Sequence, residues 1–495
     1  MKTKNKSNFL NLLKQKTPHS PFRAVEGFLI VFFISQSFLL KAEILLPAFF
    51  SGGMVLQQQT EAPLWGKITQ DKKLTITTSW NNKKYKTEAD EDGNWKVKIQ
   101  TPDAGGPFSI TIKNGKNETV LKDVLIGEVW LCSGQSNMEM PMKGFKNQPV
   151  ENSAMDILKS KNPQIRLFTV KRNSALIPQN NVQGSWASAS PVSVKEFSAT
   201  AYYFGRLLQE ILQVPIGLIA TSWGGSSVEA WMEKEMLRSF SEVKIPQTEA
   251  DIKEKNRTPT TLYNAMIAPL TGYSIKGLIW YQGETNYDRY WSYADMLSSM
   301  VNGWRAKWNQ GNFPFYYCQI APYEYKLVTS PGKEVINSAF LREAQLKAES
   351  KIGNAGMVVL MDVGTEKGIH PPRKQPVGER LALQALAKTY KIDGITAESP
   401  IYKEMTIKGD TIILSFDRTD MWISAPKGEL KNFKIAGADK IFYPAQAWID
   451  RSKVLVRSGS VKQPVAVRYA FENYAEGDLF GTEGLPVSSF RTDNW

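Results

Sequence analysis

Short apolar runs alternate with longer stretches of helical periodicity between about Asp123 and Asp393, and this rhythm limits the possible folds more than any other feature of the chain. Apolar residues recur at helical spacing between the first two runs and again after the last one. Alternating strands and helices predict a parallel sheet that helices cover on both faces. In such sheets, ligands meet the loops beyond the carboxyl ends of the strands. The five runs are residues 125–132, 216–222, 277–281, 315–320 and 357–362.

The two flanks of this region have a different pattern. Residues 43–122 contain short segments of alternating large and polar residues, with turn signals at Asp92-Gly93 and Asn114-Gly115, and they predict a small β-sandwich. A β pattern returns beyond Asp393 and predicts an all-β C-terminal region. The chain is therefore predicted to be of the α/β class. Its predicted parts are a signal peptide at 1–42, a β-sandwich at 43–122, the parallel-sheet domain at 123–394 and a β domain at 395–495.

The N-terminal segment has the three parts of a secretory signal, namely a basic region, an apolar core and the small residue Ala42. The apolar core, about 13 residues, is shorter than the roughly 20 that span a bilayer. We therefore expect export to the periplasm or the cell exterior, without stable membrane association after cleavage. Without residues 1–42 the formal charge of +13 falls to about +7, and no dense Lys/Arg run remains. Nucleic acid is accordingly not an expected partner.

The histidine count restricts the chemistry more than any other number. The chain has two histidines, and His19 lies in the predicted signal, so His370 is the one histidine of the mature sequence. Any imidazole base must be His370, and a metal site built on several histidines is excluded. We expect no metal or organic cofactor. The two cysteines, Cys132 and Cys318, lie far apart in apolar runs and are expected to be packed thiols.

Residues with catalytic chemistry follow four of the predicted strands. Ser136 comes just after the first run, in a stretch where Gly134 allows close backbone approach. The pair Gly224-Gly225 follows the second run and could turn backbone N–H groups into a cleft, as an oxyanion hole requires. Residues 282–286 follow the third run with side-chain donors and a carboxylate, and His370 follows the fifth. Each stretch could be an ordinary polar loop, but together they supply the parts of a nucleophilic active site.

Several motifs resemble those of the sialate O-acetylesterases, which belong to the SGNH (GDSL-type) hydrolases. The motifs are G-Q-S-N-M at 134–138, W-Y-Q-G-E-T-N at 280–286 and I-H-P-P-R-K at 369–374. The resemblance extends to M-V-L-Q at 54–57, V-R-Y-A-F-E-N-Y at 467–474 and G-L-P-V-S-S-F-R-T-D at 484–493. It therefore covers nearly all of the mature chain and implies that the central domain has the flavodoxin-like SGNH fold.

The resemblance also implies roles for particular residues. Ser136 would be the nucleophile and His370 its base. The Ser136 N–H and a Gly224 or Gly225 amide would help to form the oxyanion hole. The block from Gln282 to Asn286 would line this hole, with Asn286 as the candidate side-chain donor.

The third catalytic group is left open by the sequence. Many SGNH hydrolases have an Asp three residues before the histidine, where this chain has Lys367. The group that orients the imidazole could be Asp362, Glu366 or Glu284, or a backbone carbonyl in a Ser-His dyad. Asp362 is preferred because it lies at a predicted strand end.

These parts predict an esterase that removes acetyl groups from sugars, most simply from sialic acid, through an acetyl-enzyme. One alternative is an esterase for acetyl-xylan or another glycan, because the same catalytic parts would serve. Another is a carbohydrate-binding protein without activity, which the missing Asp near His370 would favour. Arg305 and Arg342 could contact a sugar acid, although structural roles are expected for both. The sequence does not indicate an oligomeric state.

Overall fold

The described part of the chain begins with seven strands, and six of them form two small antiparallel sheets. The computed structural model describes residues 43–69, 71–419 and 422–495. The strands are β1 (Ile44–Leu45), β2 (Val55–Gln57), β3 (Glu61–Ile68), β4 (Lys73–Thr78), β5 (Lys84–Glu88), β6 (Asn94–Gln100) and β7 (Gly105–Asn114). One sheet has the order β1-β3-β6, and in the other β4 pairs with both β5 and β7. Alternate residues of β4 are buried, which is the period of two that the sequence pattern predicts.

A single long strand, β8 (Asn117–Gly134), belongs to both the N-terminal region and the central sheet. Its first half pairs antiparallel with β7, whereas the half from Glu128 onward pairs parallel with strands of the central sheet. Its burial changes accordingly, since the first residues alternate and every residue from Val124 to Gly134 is buried. Full burial is expected where helices cover both faces of a parallel sheet.

The central region alternates strands and helices over its whole length. Its strands are β9 (Asn162–Thr169), β10 (Trp186–Ala189), β11 (Ile216–Ser222), β12 (Gly277–Tyr281), β13 (Phe315–Cys318) and β14 (Ala355–Val358). Its α-helices are α1 (Ser136–Glu139), α2 (Ser153–Leu158), α3 (Pro191–Glu196), α4 (Ala199–Leu212), α5 (Tyr290–Trp308), α6 (Ala339–Lys351) and α7 (Lys374–Lys388). Shorter 3-10 or π-helical turns lie at Val228–Trp231, Lys234–Leu237, Glu249–Asp251, Tyr263–Ile267, Ala268–Leu270, Glu284–Arg289 and Tyr325–Leu327.

The central sheet has the strand order β10-β9-β11-β8-β12-β13-β14. All pairings are parallel except that of β10 with β9, so the sheet is mixed, with one antiparallel strand at its edge. Apolar residues of α4 and α7 belong to one buried core, and those of α5 and α6 belong to the other. Successive residues of β12 alternate between these two cores. The predicted α/β class is therefore confirmed, and the prediction of an all-parallel sheet is corrected by β10.

The C-terminal region contains strands and no helix in its described residues after Asp393. The strands are β15 (Ile401–Lys408), β16 (Thr411–Asp417), β17 (Ile423–Ser424), β18 (Phe433–Ala436), β19 (Phe442–Pro444), β20 (Gln446–Asp450), β21 (Lys453–Arg457), β22 (Ala466–Tyr469), β23 (Phe480–Gly481) and β24 (Phe490–Arg491). They form the sheets β15-β16-β21-β20, β17-β23 and β19-β18-β22-β24. Arg342 of α6 is buried against this region and donates to the Glu472 carbonyl and to Ser489 Oγ.

Two sequence predictions stay open at this level. The predicted signal at residues 1–42 lies outside the described residues. The domain boundaries after residues 122 and 394 remain predictions, and β8 runs across the first of them. No helix in the described ranges has the length and apolar character needed to span a membrane.

Candidate active site

Three neighbouring strands of the central sheet end at the same level, and the chain turns there. Gly134 of β8 pairs with Ser222 of β11 and with Tyr281 of β12. Gly134 has a φ of +142°, and a Cβ atom there would lie 2.1 Å from the Tyr281 carbonyl oxygen. Only glycine therefore fits this turn. Ser136 follows two residues later as the first residue of α1, at the carboxyl edge of the sheet.

Ser136 and His370 line the same cavity at this edge. The cavity has a volume of about 920 Å³, within the range of about 300–1,000 Å³ that is common for small-molecule sites. Within the described ranges no hydrogen bond joins the Ser136 hydroxyl to the imidazole. Catalytic hydrogen bonds often tighten only when substrate is bound. The structure thus brings the two predicted residues to one cavity, and their catalytic roles remain predictions.

His370 is held by a tight hairpin at residues 145–148. Its Nδ1 lies 2.5 Å from Gln148 Oε1, and its ring meets the Phe145 ring edge-on at a centroid distance of 5.2 Å. Reciprocal backbone hydrogen bonds between Phe145 and Gln148 close the hairpin. An amide oxygen can only accept, so this contact places the imidazole proton on Nδ1. The Nε2 lone pair is then free to accept a proton, as a general base requires.

Asn137 connects the serine segment with the histidine segment. Its Nδ2 donates to the Ile369 carbonyl at 3.1 Å and to Glu284 Oε1 at 2.5 Å. Its Oδ1 accepts from Lys374 Nζ at 2.5 Å. Asn137 follows Ser136, and Ile369 precedes His370, so one amide fixes the distance between the two backbone segments. Asn137, Glu284 and Lys374 are all buried.

The buried groups of this network have displaced pKa values. Burial raises the pKa of Glu284, and hydrogen bonding by Asn137 and the nearby charge of Lys374 oppose this rise. Burial lowers the pKa of Lys374 to about 7, opposed by Glu284. Burial and the neighbouring Lys374 charge lower the pKa of His370 to about 4. His370 is consequently neutral at neutral pH, which is the form that can accept a proton from a hydroxyl.

The two glycines predicted for the oxyanion hole differ in whether their N–H groups already have an acceptor within the protein. The Gly224 N–H donates to Glu139 Oε2 at 2.8 Å, so this amide is already bound within the protein. The Gly225 N–H has no acceptor among the described residues, and the same is true of the Ser136 N–H. Gly224, Gly225 and Ser136 all line the cavity. The structure therefore leaves the Ser136 and Gly225 amides available to a substrate oxygen.

Gln282 and Asn286 are placed behind the cavity wall rather than in it. The Gln282 side chain donates to Asn286 Oδ1 at 2.7 Å and accepts from the Tyr293 hydroxyl at 2.8 Å. Asn286 Nδ2 donates to Glu229 Oε2 at 3.0 Å, and its Oδ1 also accepts from the Val228 N–H at 3.0 Å. Both residues are buried, and neither is among the residues that line the cavity. Their amides hold the loop together, and Asn286, which is buried and does not line the cavity, is not placed to donate to a substrate there.

The carboxylates considered as third group do not contact the imidazole. Asp362 forms a two-pronged ion pair with Arg380, with both N–O distances at 2.7 Å. Glu366 is exposed, and Glu284 is bound to Asn137. In the described ranges His370 forms no ion pair with any carboxylate, and Gln148 occupies its Nδ1 position. Asp362 was preferred for its place at a strand end, but β14 ends at Val358 and the chain then turns towards Arg380 of α7.

Sequence reasoning missed three residues of this site. Asn137 and Lys374 lie inside the quoted motifs, so their place in those motifs was a usable signal. Gln148 has no such signal, because a glutamine in a polar stretch is common and only the folded hairpin brings it to His370. The two cysteines, by contrast, are buried and unpaired, as the sequence predicts.

The pH profile offers a test of the Gln148 contact. As the pH is lowered, kcat/KM of the natural protein is expected to fall only near pH 4, because the pKa of His370 is lowered to about 4. Replacing Gln148 with Glu puts a negative charge beside Nδ1, and this charge raises the pKa of the imidazole by about one unit or more. The acid limb of the Gln148→Glu enzyme should therefore lie at about pH 5 or above, measured as kcat/KM for a small acetate ester across the range from acid to mildly alkaline pH.

A matched variant distinguishes a charge placed at the Gln148 contact from the same charge placed elsewhere in the hairpin. Asn147→Asp adds the same charge to the same hairpin on an exposed side chain and should leave the acid limb in place. Activity recovered after return to neutral pH shows that the limb reflects titration rather than unfolding. An unchanged limb in Gln148→Glu would mean that Gln148 does not bind the functional imidazole.

One cavity is therefore lined by a hydroxyl, a neutral imidazole and two amide N–H groups that have no acceptor among the described residues. In the part of the chain that the structure describes, no cluster of three or more metal-binding side chains occurs.

Comparison with known proteins gives the class of the protein. A solved structure of a carbohydrate acetylesterase from Xanthomonas citri is 34% identical, with a TM-score of 0.83, and the match covers 92% of this chain and 100% of that one. The sialate O-acetylesterase of Rattus norvegicus is 28% identical over 485 residues, 85% of this chain and 88% of that protein. The corresponding human protein is 29% identical over 418 residues, 79% of each chain. The protein is a carbohydrate O-acetylesterase, and thus a hydrolase of ester bonds.

The family follows from a match to one family model. The model described as "Carbohydrate esterase, sialic acid-specific acetylesterase" matches residues 126–387, which is more than half of the chain. The chain belongs to this family, and the resemblance seen in the sequence motifs is confirmed.

Proposed function

We propose that this protein hydrolyses sugar O-acetyl esters through an acetyl-enzyme on Ser136, with His370 as general base and acid. The observation that carries the proposal is the shared cavity, in which Asn137 fixes the serine segment to the histidine segment by a 3.1 Å hydrogen bond. The neutral imidazole, with its proton on Nδ1, has the state that such a base needs. We include in the proposal the flavodoxin-like SGNH arrangement of the central sheet and the β-sandwich arrangement of the N-terminal strands.

The reaction would proceed in two halves. His370 Nε2 takes the Ser136 proton while Oγ attacks the acetyl carbonyl carbon, and the Ser136 and Gly225 N–H groups hold the resulting oxyanion. A fixed donor of this kind is worth on the order of 3 kcal/mol of the barrier. The ester bond to the sugar breaks, and the imidazolium returns the proton to the sugar oxygen. Water then repeats the sequence on the acetyl-enzyme, which releases acetate and restores Ser136.

The imidazole in this proposal works as part of a dyad with an amide partner. A neutral amide at Nδ1 fixes the tautomer and the ring orientation, which are two of the functions of a triad carboxylate. It does not stabilise the imidazolium by charge. The low pKa of His370 agrees with that difference. The dyad that the sequence leaves open has a backbone carbonyl at the imidazole, whereas the partner here is the side-chain amide of Gln148.

Two classes of sugar are candidates for the substrate. The printed names of the mammalian relatives point to acetylated sialic acid, and acetyl-xylan or another neutral acetylated glycan is the second candidate. The test is acetate release by the purified protein from 9-O-acetylated sialic acid, from acetyl-xylan and from 4-nitrophenyl acetate, with Ser136→Ala as the blank. We expect serine-dependent hydrolysis of the small ester and of at least one sugar ester. If none of the three substrates is hydrolysed in a Ser136-dependent manner, the mechanism is refuted. That result would favour the alternative of a carbohydrate-binding protein without activity.

We also propose that the protein is exported, on the basis of the N-terminal signal pattern alone. N-terminal sequencing of protein recovered from the periplasm or medium should then find a start near residue 43. Recovery of the full-length chain from the cytoplasm would contradict export.

A further inference from the structure

The catalytic cavity has an aromatic end that the proposed reaction does not use. Trp291, in the first turn of α5, is 66% exposed and lines the cavity. Tyr287, Tyr325 and the 55% exposed Val328 line it as well. A large apolar side chain left open to solvent in the wall of a catalytic cavity indicates a surface that a ligand covers.

Further rings pack against the residues of the aromatic end. Tyr290 meets Trp291 edge-on at 5.6 Å and stacks on Phe340 at 4.8 Å. Tyr287 lies against Tyr325 at a centroid distance of 4.1 Å. Rings held in this way lose little conformational entropy when a ligand packs against them, which favours binding.

The aromatic end and the catalytic end belong to one short segment. Glu284 lies near Ser136 through Asn137, and a 3-10 helix from Glu284 to Arg289 leads directly into α5 and Trp291. The cavity volume of about 920 Å³ is near the upper limit for small-molecule sites, about 1,000 Å³. The cavity therefore has room for an acetylated sugar at Ser136 and for a further sugar ring at Trp291.

The charges of the cavity wall oppose an acidic sugar. Among the lining residues other than Glu284, whose pKa is raised by burial, four carboxylates face three cations, namely Glu229, Glu242, Glu254 and Asp288 against Lys244, Arg257 and Arg289. Both guanidinium groups already have carboxylate partners. Arg257 lies 3.3 Å from Glu254, and Arg289 lies 3.1 Å from Asp288 and 3.5 Å from Glu229.

The other two arginines considered for a sugar acid are also bound elsewhere. Arg305 donates to the Phe313 carbonyl and Arg342 donates to the Glu472 carbonyl, and both are buried away from the cavity lining. Lys244 is exposed and has no carboxylate within ion-pair distance among the described residues, while Glu242 beside it has no cationic partner. A sugar carboxylate would thus enter a cavity of negative net charge.

We propose that the aromatic end around Trp291 is a subsite for a neutral sugar ring, and that the enzyme prefers neutral acetylated glycans of two or more sugars to acetylated sialic acid. This inference rests on the proposed function, because it assigns the substrate class of the same cavity. A sugar ring presents C–H groups on its faces that pack against an indole, and its hydroxyl groups need no cation. The neighbouring carboxylates can accept hydrogen bonds from those hydroxyls.

The first experiment compares Trp291→Ala with the natural protein on an acetylated xylo-oligosaccharide and on 4-nitrophenyl acetate. We expect kcat/KM for the oligosaccharide to fall about three- to tenfold, mainly through KM, because stacking on an aromatic ring is lost. The small ester does not reach the subsite, so its kcat/KM should change less than about twofold. Trp422→Ala removes another exposed tryptophan, one that does not line the cavity, and should leave both substrates unaffected.

The second experiment tests the charge of the cavity. We expect kcat/KM for the acetylated xylo-oligosaccharide to exceed that for 9-O-acetylated sialic acid about tenfold or more at low salt, and added salt to narrow the gap by screening the repulsion. Asp288→Asn should narrow it as well. A higher kcat/KM for 9-O-acetylated sialic acid at low salt would overturn the proposed substrate class. An equal loss of kcat/KM on the oligosaccharide and on 4-nitrophenyl acetate in Trp291→Ala would overturn the subsite. Both failures differ from failure of the mechanism, in which the small ester is not hydrolysed in a Ser136-dependent manner.

Discussion

The Ser136→Ala enzyme is expected to lose on the order of 10⁴-fold or more in kcat for any acetate ester, and His370→Ala is expected to fall to a similar level. Without the hydroxyl no acetyl-enzyme forms, and without the imidazole the hydroxyl keeps its proton. Because the two groups act in one step, the double variant should be no slower than either single variant. The measurement is kcat for 4-nitrophenyl acetate, corrected for hydrolysis by buffer.

A serine near the end of the preceding strand, β8, provides the matched control. Ser133 lies three residues before Ser136, is fully buried in β8, and its hydroxyl has no hydrogen-bond partner among the described residues. Ser133→Ala removes the same atom outside the cavity and should retain activity. Full activity in Ser136→Ala would show that the nucleophile lies elsewhere. Loss in Ser136→Ala but retention in His370→Ala would leave the nucleophile in place and assign the base to another group.

Replacing Lys374 with Met is expected to destabilise the folded protein by about 1–3 kcal/mol and to lower kcat as well. The substitution leaves Asn137 Oδ1 without its donor and removes the nearby charge that opposes the raised pKa of Glu284, and a buried polar group without a partner has a cost of this size. Asn137 then no longer fixes the distance between Ser136 and His370. Urea unfolding at neutral pH measures the stability, and steady-state kinetics separates kcat from KM.

The double variant Lys374→Met with Glu284→Gln shows whether the two charges are coupled. The amide oxygen that Glu284→Gln introduces could still accept from Asn137 Nδ2 while neither charge of the pair remains, so the double variant should recover part of the lost stability. We expect the double-mutant cycle to give a coupling of at least about 1 kcal/mol. Additive losses would show that the network is not electrostatically coupled. Unchanged kcat in a folded Lys374→Met enzyme would remove its positioning role.

The network also explains how a site without a carboxylate at the imidazole keeps its order. In a triad, the acid accepts a hydrogen bond from the histidine Nδ1–H and so orients the ring. Here Gln148 and Phe145 hold the ring, while Asn137 holds the backbone before it. Glu284 and Lys374 both contact Asn137, the residue after Ser136. The ordering task is therefore divided between a hairpin and a buried polar network.

Much of the fold could be predicted from local patterns. The runs at 125–132, 216–222 and 277–281 correspond to β8, β11 and β12, because a strand buried on both faces must be continuously apolar. The helix with Phe204 and Leu208 on its apolar face is α4. β9 and β10 were missed because Arg166 interrupts the one and small residues fill the other. Pairing across the sheet, rather than hydrophobicity, defines these two strands.

The sequence by itself predicted the candidate groups, since its motifs resemble those of the family and thereby imply Ser136 as nucleophile, and His370 is the one histidine beyond residues 1–42. It also predicted where in the chain the strands before these two residues lie, through apolar runs that a sheet covered on both faces can bury. The tertiary structure alone decided which groups surround the imidazole, placing Gln148 there and directing Asp362 to Arg380 and Asn286 to Glu229. Hydrogen bonds between residues far apart in the chain depend on distances that are set by packing, and no local pattern of residues encodes those distances.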